Sequence, residues 1–168
     1  YSRLENLISK INDSINGETV LISIMHANNE IGSINNILEI GKICRERNIR
    51  FMVDAAQSFG RLPIDVDLMN IDLLTASGHK IYGPKGIGFL YVRQRNPKVE
   101  INPQIFGGSH ERNMRPGTLP VPLIVGLAKA TQLIIENRDL ENKRLMWMRD
   151  ELLLKIKEAL PDTIINGS

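Results

Sequence analysis

The stretch DLLTASGHKIYGPKGIGFLYVR, residues 72–93, decides the fold class of this chain. Two apolar runs of strand length, 71–76 and 86–92, enclose a glycine-rich loop. Glycine at this density indicates that the backbone turns tightly or approaches another group closely. Lys80 lies inside this loop, although a lysine that only needed contact with water could lie almost anywhere. The stretch therefore predicts two strands joined by a tight loop, and it indicates that the lysine in this loop has a function.

Two further strands precede this stretch. The runs 19–26 and 50–53 are apolar and of strand length, which is typical of buried strands. Between them, Asn36 and Glu39 have the spacing of a capping box at the start of a helix over residues 37–47. Strands that alternate with helices predict an α/β fold with a mainly parallel sheet and flanking helices.

The last third of the chain predicts two helices. Residues 119–135 are largely apolar and predict a buried helix, whereas 138–160 carry apolar residues at three- and four-residue spacing and predict an amphipathic helix. Pro161 ends this second helix. The apolar triplet 163–165 is interpreted as the start of another strand. The chain begins at Tyr1 rather than at a methionine, and we interpret both ends as cuts within a longer protein.

Composition narrows the classes of function. The chain has 168 residues, of which 42% are hydrophobic and 24% charged, as in an ordinary globular domain. Its net charge of +2 is too small to indicate binding to nucleic acid or to a membrane surface. No apolar run approaches the roughly 18 residues of a transmembrane helix. We therefore expect neither nucleic acid nor a membrane as a partner.

The single cysteine, Cys44, permits no disulfide bond within the chain. It has helical spacing from Ile37 and Ile40. This pattern predicts a buried structural cysteine rather than a reactive one.

Three predicted strands each end in a polar loop, at 26–30, 54–57 and 77–80. In open α/β sheets, ligands bind beyond the carboxyl ends of the strands. We therefore expect the three loops to converge on one site.

The residue types in these loops indicate a particular chemistry. A partly desolvated lysine such as Lys80 becomes a nucleophile toward carbonyl groups. Asp54 directly follows an apolar strand and needs a cationic partner there, for which a protonated pyridine nitrogen is suitable. Ser77 and His79 are donors suited to a phosphate. Together with neutral amide donors, they describe a site for pyridoxal 5'-phosphate. The amide donors are Asn29 and Gln57.

Alternatives exist at several positions. Lys85 is a second lysine in the same loop and competes with Lys80 as the reactive amine. Asp54 could instead act as a helix N-cap. Asn28 is interpreted as a turn residue and Asn29 as the contact, although the two could exchange roles. His26 could equally be a packed or a functional histidine.

Three known motifs are excluded. The loop lacks the GxxxxGK[ST] pattern because Pro84 follows GHKIYG, and GPKGIG lacks the GxGxxG spacing. His110-Glu111 begins an HExxH pattern, but Met114 stands where the second histidine is required. Three separated histidines and one cysteine predict no metal site.

Four stretches together resemble a known family: HANNEIG (26–32), VDAAQSFGRLPIDV (53–66), the stretch at 72–93 and GGSHERNMRPGTLP (107–120). The chain resembles the cysteine desulfurases of the iron–sulfur cluster assembly type (IscS/NifS-like). These enzymes form part of the class V aminotransferase family of fold type I pyridoxal phosphate enzymes. The resemblance implies that this chain is part of the large domain of a fold type I transferase.

The resemblance also implies roles for individual residues. Lys80 is implied to form the Schiff base with pyridoxal 5'-phosphate, and Asp54 to pair with the pyridinium nitrogen. Asn29 and Gln57 are implied to bind the phenolic oxygen of the ring. The phosphate ligands implied by the resemblance are Ser77, His79 and, from a neighbouring subunit, Thr118, which implies a homodimer. His110 and Arg112 are expected either to line the dimer-side loop or to be solvated.

The implied reaction converts L-cysteine to L-alanine and passes the sulfur to a cysteine thiolate of the enzyme, as a persulfide. Iron–sulfur cluster assembly or another sulfur-transfer pathway, through an acceptor or scaffold protein, would use this sulfur. The implied location is the cytoplasm, or the mitochondrion in a eukaryote. Selenocysteine lyase, class V transaminase and a non-catalytic scaffold are the alternatives.

The family pattern also predicts a domain boundary. Residues 1–160 are expected to form the central and C-terminal part of the cofactor-binding large domain, and 161–168 to begin the small domain. The persulfide-bearing cysteine is expected outside this chain, so the chain alone is expected to be inactive. Pro116 stands where the family pattern has a serine.

Overall fold

The computed structural model of the chain describes the backbone of residues 2–167 and the side chains of residues 7–167. Within the described residues, three α-helices and four β-strands form the framework, with two short 3₁₀ turns. In chain order they are α1 (Ser2–Ser14), β1 (Leu21–Met25), α2 (Ile37–Glu46), β2 (Arg50–Asp54), β3 (Leu73–Ser77), β4 (Gly88–Val92) and α3 (Val121–Ala159). The 3₁₀ turns are Gly78–Ile81 and Glu111–Asn113.

The four strands form one sheet in the order β1-β2-β3-β4. β1, β2 and β3 are parallel, and β4 pairs antiparallel with β3. This arrangement confirms the predicted α/β fold with a mainly parallel sheet. The four strands predicted between residues 19 and 92 are all present, although β1, β3 and β4 each begin two residues later than predicted and β3 includes Ser77.

One face of the sheet is buried under α1 and α2. The core on this face contains side chains from both helices and from the two central strands, namely Ile11, Ile37, Ile40, Cys44, Phe51, Val53 and Leu74. Side chains alternate between the two faces of a strand. The opposite face therefore carries Leu21 and Leu90, which are 44% and 46% exposed.

α2 begins as its capping pattern predicts. The Asn36 side chain accepts a hydrogen bond from the Glu39 backbone N–H at 3.2 Å. The Asn36 amide also donates to the Glu39 carboxylate at 3.0 Å. The first contact satisfies a backbone donor that the first turn of a helix would otherwise leave unpaired, and the second holds the two side chains together.

The prediction of two C-terminal helices, with a buried one over 119–135, was wrong. α3 is a single helix of 39 residues, and Ile134 is its only buried side chain. At the predicted break, the Asn137 side chain donates to the Leu133 carbonyl at 2.8 Å instead of capping a new helix. α3 packs against the loops after β2 and β3 rather than under the sheet: Gly60 faces Ile134, and Gly83 faces Ala130.

The prediction of a strand at 163–165 was also wrong, because these residues have no regular secondary structure. α3 ends at Ala159, before Pro161. No helix in the described part of the chain is long and apolar enough to cross a membrane.

Candidate active site

The three polar loops begin side by side at one edge of the sheet. β1, β2 and β3 are parallel, so their carboxyl ends share this edge. The backbone N–H of His26 donates to the Asp54 carbonyl at 2.8 Å, and the N–H of Ala55 donates to the Thr75 carbonyl at 2.9 Å. These bonds extend the sheet pairing into the starts of the first two loops.

Asp54 is the last residue of β2 and lies on the face opposite the core, as Ser77 does at the end of β3. One carboxylate oxygen, Oδ1, accepts a hydrogen bond from the Ala56 N–H at 2.9 Å. No α-helix follows, so Asp54 closes a tight turn rather than capping a helix. Its second oxygen has no hydrogen-bond partner among the described residues and is available to a ligand.

Lys80 lies in the one-turn 3₁₀ helix Gly78–Ile81, directly after β3. Its side chain is exposed and forms no ion pair within the described residues. The Ser77 hydroxyl and the His79 ring nitrogen Nδ1 are 2.9 Å apart, so their side chains form a polar pair beside the lysine. Lys85, the competing lysine, is exposed in the turn that leads into β4.

The two amide candidates, Asn29 and Gln57, differ in exposure. Asn29 is exposed and Gln57 is half-buried, and neither side chain forms a hydrogen bond within the described residues. Asn28 behaves as a turn residue, because its side-chain oxygen accepts from the N–H groups of Glu30 and Ile31 at 2.9 and 3.0 Å.

Thr118 is exposed in the segment that leads into α3, and its hydroxyl has no hydrogen-bond partner in the described part of the chain. His110 and Arg112 are also exposed, around the second 3₁₀ turn. Arg112 has a φ of 56°, which a non-glycine residue adopts only when its surroundings favour it.

Two buried side chains have shifted proton affinities. Burial lowers the pKa of His26, which is 6% exposed and whose Nδ1 has no partner among the described residues. Burial, reinforced by the nearby Asp72 charge, raises the pKa of the Cys44 thiol from 9.0 to about 11. The Cys44 thiol therefore stays protonated near neutral pH, and the prediction that this cysteine is buried is confirmed.

The structure offers no metal site among its described residues, where no three His, Cys, Asp or Glu side chains are grouped suitably. An apolar groove of about 360 Å³ lies between the lysine turn and α3. Its lining includes Ile81 and Tyr82 but not Lys80. The candidate residues Asp54, Ser77, His79 and Lys80 are thus absent from the lining of this groove.

One polar side chain near this edge, Arg61, was not identified from the sequence. It donates from Nη2 to the Lys80 carbonyl at 3.3 Å. No local pattern signals this contact, because it joins residues 19 positions apart. Only its place within the stretch 53–66 could have drawn attention to it.

Comparison with known proteins identifies relatives over nearly the whole chain. The family model "Aminotransferase class-V" matches residues 3–163. A cysteine desulfurase IscS of Ehrlichia chaffeensis is 52% identical over 157 residues, which are 94% of this chain and 38% of that protein. A mitochondrial cysteine desulfurase of Drosophila melanogaster is 49% identical over 160 residues, which are 95% of this chain and 34% of that protein.

Solved structures agree with the fold. DndA from Streptomyces lividans superposes with a TM-score of 0.88 at 37% identity, covering 95% of this chain and 45% of that chain. SspA in complex with cysteine superposes with a TM-score of 0.70 at 51% identity, covering 74% of this chain and 35% of that chain. The chain thus spans less than half the length of these relatives.

Proposed function

The chain belongs to the class V aminotransferase family, and from this membership we propose that it is part of a cysteine desulfurase. The proposed enzyme converts L-cysteine to L-alanine and transfers the sulfur to a cysteine thiolate of its own longer chain as a persulfide. Two of the relatives named above are called cysteine desulfurases, and one structural neighbour is SspA in complex with cysteine.

One observation carries the proposal. An exposed lysine, Lys80, follows a polar Ser77–His79 pair at the same sheet edge where Asp54 ends the neighbouring parallel strand. An amine, a carboxylate and phosphate donors in this order suit a ligand with an aldehyde, a basic ring nitrogen and a phosphate. We propose pyridoxal 5'-phosphate as this ligand.

The described residues fit such a ligand. Asp54 has a free carboxylate oxygen, and Lys80 has an exposed amine without an ion-pair partner in the described chain. When bound, the cofactor supplies an electron-withdrawing ring that stabilises negative charge on the substrate carbon. Asp54 would keep the ring nitrogen protonated by charge pairing. Lys80 would hold the cofactor and then move a proton at the substrate α-carbon.

The other proposed contacts surround this centre. Ser77 and His79 would donate hydrogen bonds to the phosphate, while Asn29 and Gln57 would bind the phenolic oxygen. Thr118, which is exposed here, would reach the phosphate of a second subunit in a homodimer.

Cys44 does not fit the role of sulfur carrier, because its buried thiol has a pKa of about 11 and is not a thiolate near neutral pH. It is the only cysteine among the 168 residues. We therefore place the persulfide-bearing cysteine in the remainder of the longer protein.

The biological setting is proposed from the relatives. They include bacterial, mitochondrial and mitosomal cysteine desulfurases, which is consistent with a cytoplasmic or mitochondrial enzyme. The sulfur would pass to an acceptor or scaffold protein for iron–sulfur cluster assembly or another sulfur-transfer pathway. We propose residues 1–160 as part of the large domain and 161–168 as the beginning of the small domain.

The test compares the full-length protein with two variants, Lys80→Ala and Lys85→Ala, which remove lysines five positions apart in the same loop. With pyridoxal 5'-phosphate, the unmodified protein is expected to show an absorption band at about 400 nm, which reports a lysine-bound cofactor. Lys80→Ala is expected to lose the band and the release of alanine and sulfide from cysteine with a reductant. Lys85→Ala is expected to keep both.

Two outcomes contradict the proposal. If the unmodified protein lacks the band, the proposal that it binds pyridoxal 5'-phosphate is wrong. If only Lys85→Ala loses the band, the lysine that binds the cofactor is Lys85.

A further inference from the structure

Arg61 lies between two of the loops that form the candidate site. It belongs to the loop that begins after Asp54, seven positions along the chain. Its side chain reaches across to the turn that follows β3, where Nη2 donates to the Lys80 carbonyl at 3.3 Å. The loop of the carboxylate and the turn of the lysine are thus joined by one side chain.

The contact pairs the Lys80 carbonyl, which the turn itself leaves without a backbone donor among the described residues. In the 3₁₀ turn Gly78–Ile81, the N–H groups of Tyr82 and Gly83 both bond to the Gly78 carbonyl. The Lys80 carbonyl has no backbone donor among the described residues, as is usual at the end of a short helix. Arg61 supplies a side-chain donor to this carbonyl.

The same guanidinium also lies over the ring of Tyr82. Its central carbon is 5.3 Å from the ring centroid, which is a cation–π distance. Tyr82 ends the lysine turn in the left-handed region, with a φ of 64°. A non-glycine residue adopts this conformation only at an energetic cost, so a contact that holds its ring also stabilises the turn.

Arg61 is itself held by α3. The Asn142 side chain donates to the Arg61 carbonyl at 2.8 Å. Gly60, one residue earlier, packs so closely on α3 that a Cβ there would lie 2.5 Å from Cγ2 of Ile134. The backbone around Arg61 is therefore packed against α3, which supports the side chain in its contact with the lysine turn.

We propose that Arg61 is a positioning residue that holds the lysine turn in register with the loop of Asp54 and Gln57. This inference rests on the proposed function, because it assigns a purpose to the spacing between Lys80 and Asp54. Two groups that act on one bound molecule lose much of their effect when their separation changes by about 1 Å.

The test uses the full-length protein and three arginine variants. Arg61→Met keeps an unbranched stem of similar bulk and removes the donor and the charge. Arg61→Lys keeps the charge and a donor. Arg47→Met is the matched control, because Arg47 donates to Asn12 at 2.6 Å between α2 and α1, away from the sheet edge.

Two measurements are made on each variant. The first is hydrogen exchange of the peptide over residues 78–83 in the cofactor-free protein. The second is the affinity for pyridoxal 5'-phosphate, measured as the change in absorbance at about 400 nm when the cofactor is added. Arg61→Met is expected to raise the exchange rate and to weaken cofactor affinity, each by about fivefold. Arg61→Lys is expected to restore part of both, and Arg47→Met to leave both unchanged.

The outcomes separate this inference from the proposed function. Wild-type exchange and affinity in Arg61→Met would overturn the positioning role and leave the proposed function standing. If the unmodified protein does not bind the cofactor, the proposed function fails, and with it the catalytic purpose assigned to Arg61. If Arg61→Met does not fold, Tyr82→Leu removes the stacked ring and is expected to change both readouts in the same direction. Unchanged readouts in Tyr82→Leu would then overturn the inference.

Discussion

At the scale of single residues, three glycines around Lys80 have a physical reason, which is a close contact for Gly78 and Gly88 and a positive φ for Gly86. A Cβ at Gly78 would lie 2.9 Å from Cγ2 of Ile87, and one at Gly88 would lie 2.5 Å from the Ala76 carbonyl oxygen. Gly86 has a φ of +81°, which side-chain-bearing residues rarely adopt. The loop around Lys80 therefore favours glycine at positions 78, 86 and 88.

Cys44 leads to a prediction about the dependence of stability on pH. Its pKa rises from 9.0 to about 11 on folding, so above pH 9 the unfolded chain releases a proton that the folded chain retains. Stability then falls as pH rises from about 9 to 11. Between pH 8 and 10.5, the loss due to this thiol is expected to be about 2 kcal/mol.

The measurement compares urea denaturation of the full-length protein and of Cys44→Ala at both pH values. The variant is expected to lose less stability on going to pH 10.5, which isolates the thiol from lysines and tyrosines that titrate in the same range. Equal losses in the two proteins would contradict the assignment.

At the scale of elements, α2 and α3 show where local patterns succeed and fail. The bounds of α2 follow from Asn36 and from apolar spacing, since capping and periodicity act within one or two turns. For α3, the apolar residues of 119–135 predicted burial, but Val121 and Val125 are 59% and 62% exposed. Apolar composition indicates that a segment favours burial, but it does not identify the surface that would cover the segment.

Gly41 on α2 leads to a prediction about helix packing. A Cβ there would lie 2.0 Å from the backbone oxygen of Met69, which cannot move as a flexible side chain can. Gly41→Ala is expected to destabilise the protein by about 2 kcal/mol or more, even though alanine gains about 1 kcal/mol in helix propensity.

Thermal or urea denaturation of the full-length protein measures this change. Gly17→Ala is the matched control, because a Cβ at Gly17 meets nothing within 4 Å. A Gly41→Ala variant as stable as the control would contradict the prediction, because it would show that the backbone at Met69 can move to accommodate the Cβ.

At the scale of the whole molecule, the chain exposes more surface than its mass predicts. A folded monomer of 18.9 kDa exposes about 8,300 Å². This chain exposes 11733 Å². Part of the excess is apolar: Phe106 is 86% exposed, Trp147 is 64% exposed, and one face of a mostly parallel sheet is uncovered, although such sheets are normally covered on both faces.

This surface predicts how residues 1–168 behave when produced alone. We expect the piece to self-associate and to bind an apolar dye, and to release no sulfide from cysteine, whereas the full-length protein does not bind the dye. Light scattering after size exclusion and dye fluorescence measure the first two properties. Leu21→Lys with Leu90→Lys, on the uncovered face, is expected to reduce the association. A monomeric piece that does not bind the dye would contradict the prediction.

The sequence by itself determined the four strands, the capped start of α2, the burial of Cys44 and the polar loops that contain Asp54 and Lys80. These features depend on residue types and periodicities within about ten positions, where the chain's own geometry dictates which side chains can meet. Only the tertiary structure decided the continuity and exposure of α3, the uncovered face of the sheet and the contact of Arg61 with the Lys80 turn. Each of these depends on segments far apart in the chain, whose packing no local pattern encodes.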